Sequence, residues 1–118
     1  MGSSSQRKGA GGERELAALL RAQGYDIERG GSLSFGEVPD LLGLPGVHIE
    51  VKRVERLNVP EAMKQAERDS KRFRDGAPAV FHRRSREPWL VTMHLEDWLD
   101  LYGRQKAPET AERKEVDA

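Results

Sequence analysis

The chain has 118 residues, with 20 Lys plus Arg, 20 Asp plus Glu, 3 His and no cysteine. That length suits a single domain, and the lack of cysteine excludes disulfide frameworks, Cys-ligated zinc, iron–sulfur clusters and thiol catalysis. No apolar run approaches the ~18–20 residues of a membrane span, and the start (Met1-Gly-Ser-Ser-Ser) has no apolar core of a signal peptide, so a cytoplasmic protein with no membrane partner is expected.

Residues 1–8 are small, polar and basic and are expected to form a flexible arm ahead of a domain over 9–103. From Gly9 a helix is expected, because Leu16, Leu19 and Leu20 recur at i, i+3, i+4 and Gly24 supplies a stop. Tyr25 to Arg29 alternates apolar and charged residues as a half-buried strand does, and Gly30-Gly31-Ser32 follows as a turn. A short strand is expected over Val38 to Leu42. After Leu44-Pro45-Gly46 comes another over Val47 to Lys52, with Val47, Ile49 and Val51 on one face. Pro60 marks a helix start, where its missing N–H costs nothing, and Ala62, Met63, Ala66 and Phe73 line one face of that helix up to Gly76. Ala79–Phe81 and Trp89–Thr92 read as strands joined by a basic turn. Leu95, Trp98, Leu99 and Tyr102 then give a closing amphipathic helix, with Trp89 and Trp98 expected in the core. Residues 104–118 contain Val116 as their one sizeable apolar residue and are expected to be a disordered charged tail. The order α-β-β-β-α-β-β-α predicts an α/β fold, a mixed β-sheet flanked by helices.

The chemistry concentrates in Pro39-Asp40, nine residues, then Glu50-Val51-Lys52. On a strand Glu50 and Lys52 share one face while Val51 points to the other, and the short Gly43–Gly46 connection would lay Asp40 beside Glu50. Two converging carboxylates suit a hard cation such as Mg²⁺, which can activate water and stabilise charge on a phosphate. Lys52 beside them could orient that water or stabilise developing negative charge. The competing structural reading is a solvated strand face with a weak charge pair. Glu13 lies about 67° from the centre of the Leu16–Leu19–Leu20 stripe and leans toward the sheet, although an acidic residue in a first turn also complements the helix dipole. His48 shares the face of Glu50 and Lys52 but reads, as a lone histidine, as structural. His82 and His94 are too scattered for a metal cluster.

Arg7-Lys-Gly-Ala-Gly-Gly-Glu-Arg-Glu-Leu16, then Leu19-Leu20, Gly24-Tyr25, Arg29, Pro39-Asp40 and Ile49-Glu-Val-Lys52 together resemble the archaeal-type Holliday junction resolvases of the PD-(D/E)xK nuclease superfamily. From Arg53 to Trp98 the likeness is closer to phage or prophage members. The resemblance implies a restriction-endonuclease-like fold and a homodimeric, Mg²⁺-dependent endonuclease, with Mn²⁺ able to substitute. Such an enzyme binds branched DNA, above all a four-way junction, and makes paired symmetric nicks by attack of a metal-activated water. Matched by position, Glu13, Asp40 and Glu50 would be metal-site acids, Val51 a backbone metal ligand and Lys52 the catalytic lysine. Arg7, Lys8, Arg14 and Arg29 would hold phosphates, Ser32 would lie near the scissile strand, and Gln65 would approach the site.

Charge position is consistent with a DNA partner. Residues 1–88 carry 16 basic against 13 acidic residues, whereas residues 89–118 carry 4 against 7, so the zero total hides a basic body and an acidic end. Arg83, Arg84 and Arg86 in the basic turn are phosphate candidates. Lys64, Arg68, Lys71 and Arg72 form a stripe on the second helix that suits either phosphates or ordinary solvation. Alternatives are a nuclease for other branched or nicked DNA, or a non-catalytic DNA-binding module of the same fold.

Overall fold

The computed structural model describes residues 2–30 and 38–105, with the backbone alone for residues 2–10. Its elements are α1 (Gly2–Ala22), β1 (Glu28–Arg29), β2 (Leu41–Leu42), β3 (Val47–Arg53), α2 (Val59–Phe73), β4 (Ala77–Arg83) and β5 (Leu90–Met93), followed by a helix over residues 95–105, here α3. The element order is the one expected from hydrophobic spacing, with shifted bounds. The first helix starts at Gly2 rather than Gly9 and so runs through the segment expected to be a flexible arm. Strands β1 and β2 shrink to two residues each. The C-terminal helix continues through Arg104 and Gln105, the first two residues of the predicted tail, and residues 106–118 lie outside the described residues.

The five strands form one sheet in the order β1-β2-β3-β4-β5. All neighbours are antiparallel except β3 and β4, which run parallel and are joined through α2. A parallel pair cannot be closed by a tight turn, and the helix makes the crossover. Alternation along β3 then has consequences on both sides of the sheet. Ile49 and Val51 enter a core with Leu16, Ala17, Ile27, Leu41, Ala79 and Phe81 under α1. Val80 enters a second, smaller core with Ala62, Met63 and Ala66 of α2. Burying a side chain such as Ile49, 1% exposed, contributes ~1.5–3 kcal/mol.

Small residues let the helices lie close. A Cβ on Gly12 would meet Cβ of Arg53 at 2.6 Å, so α1 crosses β3 there only with glycine. Across the sheet, Ala62, Ala66 and Ser70 form the buried side of α2, which brings that helix down on the His48–Glu50–Lys52 face. Helix α2 begins with Asn58 accepting the Glu61 N–H and Pro in its first turn. It ends with Arg74 in the left-handed region at φ 52°.

Trp98, expected in the core, is 48% exposed. Leu95, Trp98, Leu99 and Tyr102 do not face inward; they are between 45% and 69% exposed, and Trp98 stacks on Tyr102 with ring centroids 5.2 Å apart. The less exposed side of α3 carries Asp97 and Leu101 instead. Spacing establishes that α3 has an apolar stripe but not what that stripe meets. The two sheet faces are occupied by α1 and α2, and the described residues leave Leu95, Trp98 and Leu99 exposed. Trp89, by contrast, packs against the larger core as expected.

Candidate active site

The antiparallel register that pairs Leu41 with Ile49 sets Asp40 opposite Glu50. Asp40 stands at the entry to β2, and its Oδ2 accepts the Val51 N–H at 2.8 Å. That bond turns the carboxylate toward β3 and ties it to the backbone between Glu50 and Lys52. Pro39 just before it is buried, which holds the approach to the strand. Glu50 itself is 5% exposed, a costly position for a carboxylate without partners.

Those partners come from two elements, β3 and α2. His48, two residues earlier on the same strand face, reaches Glu50 Oε1 from Nε2 at 3.2 Å. Gln65 of α2 donates from Nε2 to Glu50 Oε2 at 3.4 Å and accepts from Lys52 Nζ through Oε1 at 2.8 Å. Lys52 Nζ lies 4.0 Å from Glu50 Oε2. Asp69, one helical turn beyond Gln65, brings a carboxylate oxygen within 4.8 Å of Glu50 and His48. Beside Lys52 a groove of about 330 Å³ opens, lined by Arg56, Asn58, Gln65 and Arg68 among others.

These positions polarise the titratable groups. Burial, then the charge of Glu50, pushes the Asp40 carboxyl up to about 7, against the pull of the Val51 N–H. Burial also tends to raise Glu50, but the hydrogen bond from His48 and the charges of Lys52 and His48 outweigh it and hold Glu50 below the usual carboxylate range. Glu13 is raised by burial and by Glu50, with Arg29 opposing. Asp69 is raised by burial and by the charge of Glu50. One ionised carboxylate therefore sits among neighbours whose own ionisation it disfavours, a distribution found where charge is organised for chemistry.

The expected acids are placed unevenly. Asp40 and Glu50 lie side by side with Val51 and Lys52. Glu13 on α1 is close enough for its charge to be felt by both, yet its carboxylate is paired with Arg29 at 3.5 Å. Among the described residues, the set whose ligand atoms all lie within 4.8 Å of one another is His48, Glu50 and Asp69. Asp40 and Glu50 are hard oxygen donors that repel each other in a buried place, and a divalent cation between them would relieve that repulsion. The residues present therefore fit a hard cation.

The basic candidates divide as well. Arg14 is exposed. Arg29 is engaged by Glu13, and its Nε is buried without a hydrogen-bond partner among the described residues. Arg83 is ion-paired with Glu15, which also accepts the indole N–H of Trp89 at 2.7 Å, and its Nε donates to the Glu87 carbonyl. Arg83 thus clamps α1 to the β4–β5 hairpin. Arg84 pairs with Glu87 at 3.8 Å, and both Arg84 and Arg86 are exposed. Ser32 and the side chains of Arg7 and Lys8 lie outside the described residues.

Three residues of the site escaped sequence reading in this role. Asp69 and Asp75 carry no sequence motif that marks them, and His48 shares the face of Glu50 and Lys52 yet, as a lone histidine, reads more readily as structural. The available signal was the pair Gln65 and Asp69, four apart beside the small-residue face of α2. It becomes informative only once α2 is known to cross over β3.

A five-stranded mixed sheet with a parallel β3–α2–β4 crossover, and carboxylates beside a lysine across β2 and β3, defines an α/β fold with a buried carboxylate site. Among solved structures the chain is similar to the Holliday junction resolvase Hjc of Archaeoglobus fulgidus, an archaeal hyperthermophile. The TM-score is 0.54 and the identity 24%, over 73% of this chain and 72% of that one. The family model of the archaeal Holliday junction resolvases (Hjc) matches residues 4–100, and the chain belongs to that family. No curated protein matches it. Among the described residues, no helix is long and apolar enough to cross a membrane.

Proposed function

We propose that this protein is a Mg²⁺-dependent endonuclease that resolves four-way DNA junctions as a homodimer in the cytoplasm, with Mn²⁺ able to replace Mg²⁺. The observation that carries this reading is the opposition of Asp40 to Glu50, with Lys52 alongside, in a chain of the resolvase family. Asp40, Glu50 and the Val51 carbonyl would hold the ion, with Glu13 adding negative charge at the rim. The bound cation supplies a more acidic water and neutralises charge on the scissile phosphate. Gln65 orients Lys52, whose ammonium faces the groove where the phosphate would arrive and can steady the attacking water or the developing charge. Arg56 and Arg68 line that groove, with Arg14, Arg84 and Arg86 exposed elsewhere on the chain. Their contacts would be to the DNA backbone and would weaken with salt.

A synthetic four-way junction and a linear duplex, each incubated with and without Mg²⁺, test the function. Symmetric paired nicks in the junction alone, lost in Glu50→Ala, are expected. A wild-type protein that leaves the junction intact, or that cuts duplex equally well, would sink the reading in favour of a binding module or a less selective nuclease.

The exposed Leu95, Trp98 and Leu99 of α3 support the homodimer. An isologous contact through these residues would place two active sites about a two-fold axis. Trp98→Glu is expected to shift a dimer to monomer in sedimentation at micromolar protein while leaving the circular dichroism of the fold unchanged. A variant that stays dimeric would move the interface elsewhere.

A further inference from the structure

The side of Glu50 away from Lys52 is built with as much detail as the side that faces it. His48 is 1% exposed and stands between two carboxylates: Nε2 on Glu50 at 3.2 Å, and Nδ1 between the Asp75 oxygens at 2.9 and 3.0 Å. Its ring lies against Phe73, with centroids 6.2 Å apart and planes 20° from parallel. Both ring nitrogens are therefore committed, and the ring cannot swing without breaking two bonds and a stack.

Asp75 is itself fixed by backbone geometry. Arg74 closes α2 in the left-handed region, its N–H donating to the Ser70 carbonyl at 2.8 Å. Gly76 follows at φ 129°, where a Cβ would lie 2.2 Å from the Gly46 carbonyl carbon. Ala77 N–H donates to the Gly46 carbonyl at 2.9 Å. The short link from α2 to β4 is thus pressed against the start of β3, and it presents Asp75 to His48 from an anchored position.

We propose that His48, held by Asp75, is a positioning residue that fixes Glu50 Oε1 and leaves Oε2 as the oxygen offered to the metal. The inference rests on the nuclease reading above and deepens it. Glu50 Oε2 is the oxygen near Lys52 and Gln65, on the side where the ion and phosphate would meet. A glutamate without a fixed second oxygen samples several rotamers, and metal affinity falls when the supports of a ligating carboxylate are removed. Asp69 is near enough to compete for Glu50, and the His48 contact settles which way the carboxylate points.

The test measures Mn²⁺ binding by calorimetry on the full chain, with thermal melting of the metal-free protein alongside. His48→Leu and Asp75→Ala are each expected to weaken Mn²⁺ binding ~10–100-fold. Asp75→Asn, whose amide oxygen still accepts from Nδ1, should remain within a few-fold of wild type. The rescue by asparagine separates positioning from a merely structural role, which would lower the melting temperature and leave Mn²⁺ affinity unchanged. Should His48→Leu fail to fold, the two Asp75 variants decide. Wild-type affinity in Asp75→Ala overturns the inference while the nuclease reading stands. If the wild-type protein itself binds no Mn²⁺, the metal reading falls first and this inference with it.

Discussion

Asp40→Asn is expected to make the metal-free protein more stable at pH 8 while reducing junction cleavage by at least ~10²-fold. The two effects have one origin. Asp40 is pushed from an ordinary 3.8 up to about 7 by burial and by the charge of Glu50. A carboxyl whose folded pKa lies above its unfolded value costs stability as pH rises, because the unfolded chain releases the proton more readily. The penalty begins near pH 4 and is complete above about pH 7. Three pKa units correspond to ~4 kcal/mol, shared here with the neighbouring Glu50, so a gain on the order of 2 kcal/mol is reasonable for the variant. Asparagine is neutral at every pH, and its oxygen can still accept the Val51 N–H.

Glu13, Asp69 and His48 act in the same direction, whereas Glu50 and His82, which burial lowers, act in the opposite one. Glu13 and Asp69 are raised too. His48 is raised by its bonds to Glu50 and Asp75, burial opposing, so its contribution is present below pH 6.5 and is lost as pH rises through its folded pKa. Glu50 is lowered; its contribution is present above 4.5 and lost on acidification below that. Scanning calorimetry in a chelator should therefore show wild type melting lower at pH 8 than at pH 5.5, with a smaller drop in Asp40→Asn. Mg²⁺ should raise the melting temperature of wild type at pH 8 and barely affect the variant. An Asp40→Asn protein that melts below wild type at pH 8 would contradict this account of Asp40.

Lys52→Ala is expected to slow cleavage ~10²–10³-fold, the cost of losing one well-placed group that meets charge in the transition state. The sign of its effect on the metal distinguishes this residue from the carboxylates. Lys52 lies 4.0 Å from Glu50 Oε2, and removing its positive charge takes repulsion away from an incoming cation. Lys52→Ala should thus bind Mn²⁺ at least as tightly as wild type, whereas Asp40→Asn should bind it more weakly. Lys52→Arg should not restore the rate. Gln65 Oε1 receives a compact ammonium at 2.8 Å, and a planar guanidinium places its charge and donors differently. Single-turnover rates at saturating Mg²⁺ check the expectation. Cleavage by Lys52→Ala within threefold of wild type would remove Lys52 from the chemistry.

Local pattern made much of this protein legible. Alternation over Val47–Lys52 separates Ile49 and Val51 from His48, Glu50 and Lys52, because successive side chains on a strand must point to opposite faces. The short link Gly43–Gly46 leaves Asp40 little choice but to return beside Glu50. Helix α2 announces itself by Pro60 and its apolar face. These features depend on neighbours in sequence, and the resemblance carried by Glu13, Asp40, Glu50 and Lys52 rests on the same short stretches.

The tertiary structure decided what those faces meet. Nothing in the spacing of Leu95, Trp98, Leu99 and Tyr102 distinguishes a stripe turned to the core from one left exposed, since both need the same period. Nor does composition reveal that Arg83 is spent on Glu15, 68 residues away in the chain, rather than left for a phosphate. Glu50 reads by itself as an exposed strand carboxylate. It is buried because α2 crosses over β3 on small residues and carries Gln65 and Asp69 with it, while the anchored link after α2 delivers Asp75 to His48. Equal numbers of acids and bases leave no net charge to attract a nucleic acid. Folding distributes them into a buried carboxylate site, internal clamps such as Glu15–Arg83 and exposed arginines, because Coulomb energy depends on distance and burial rather than on the total.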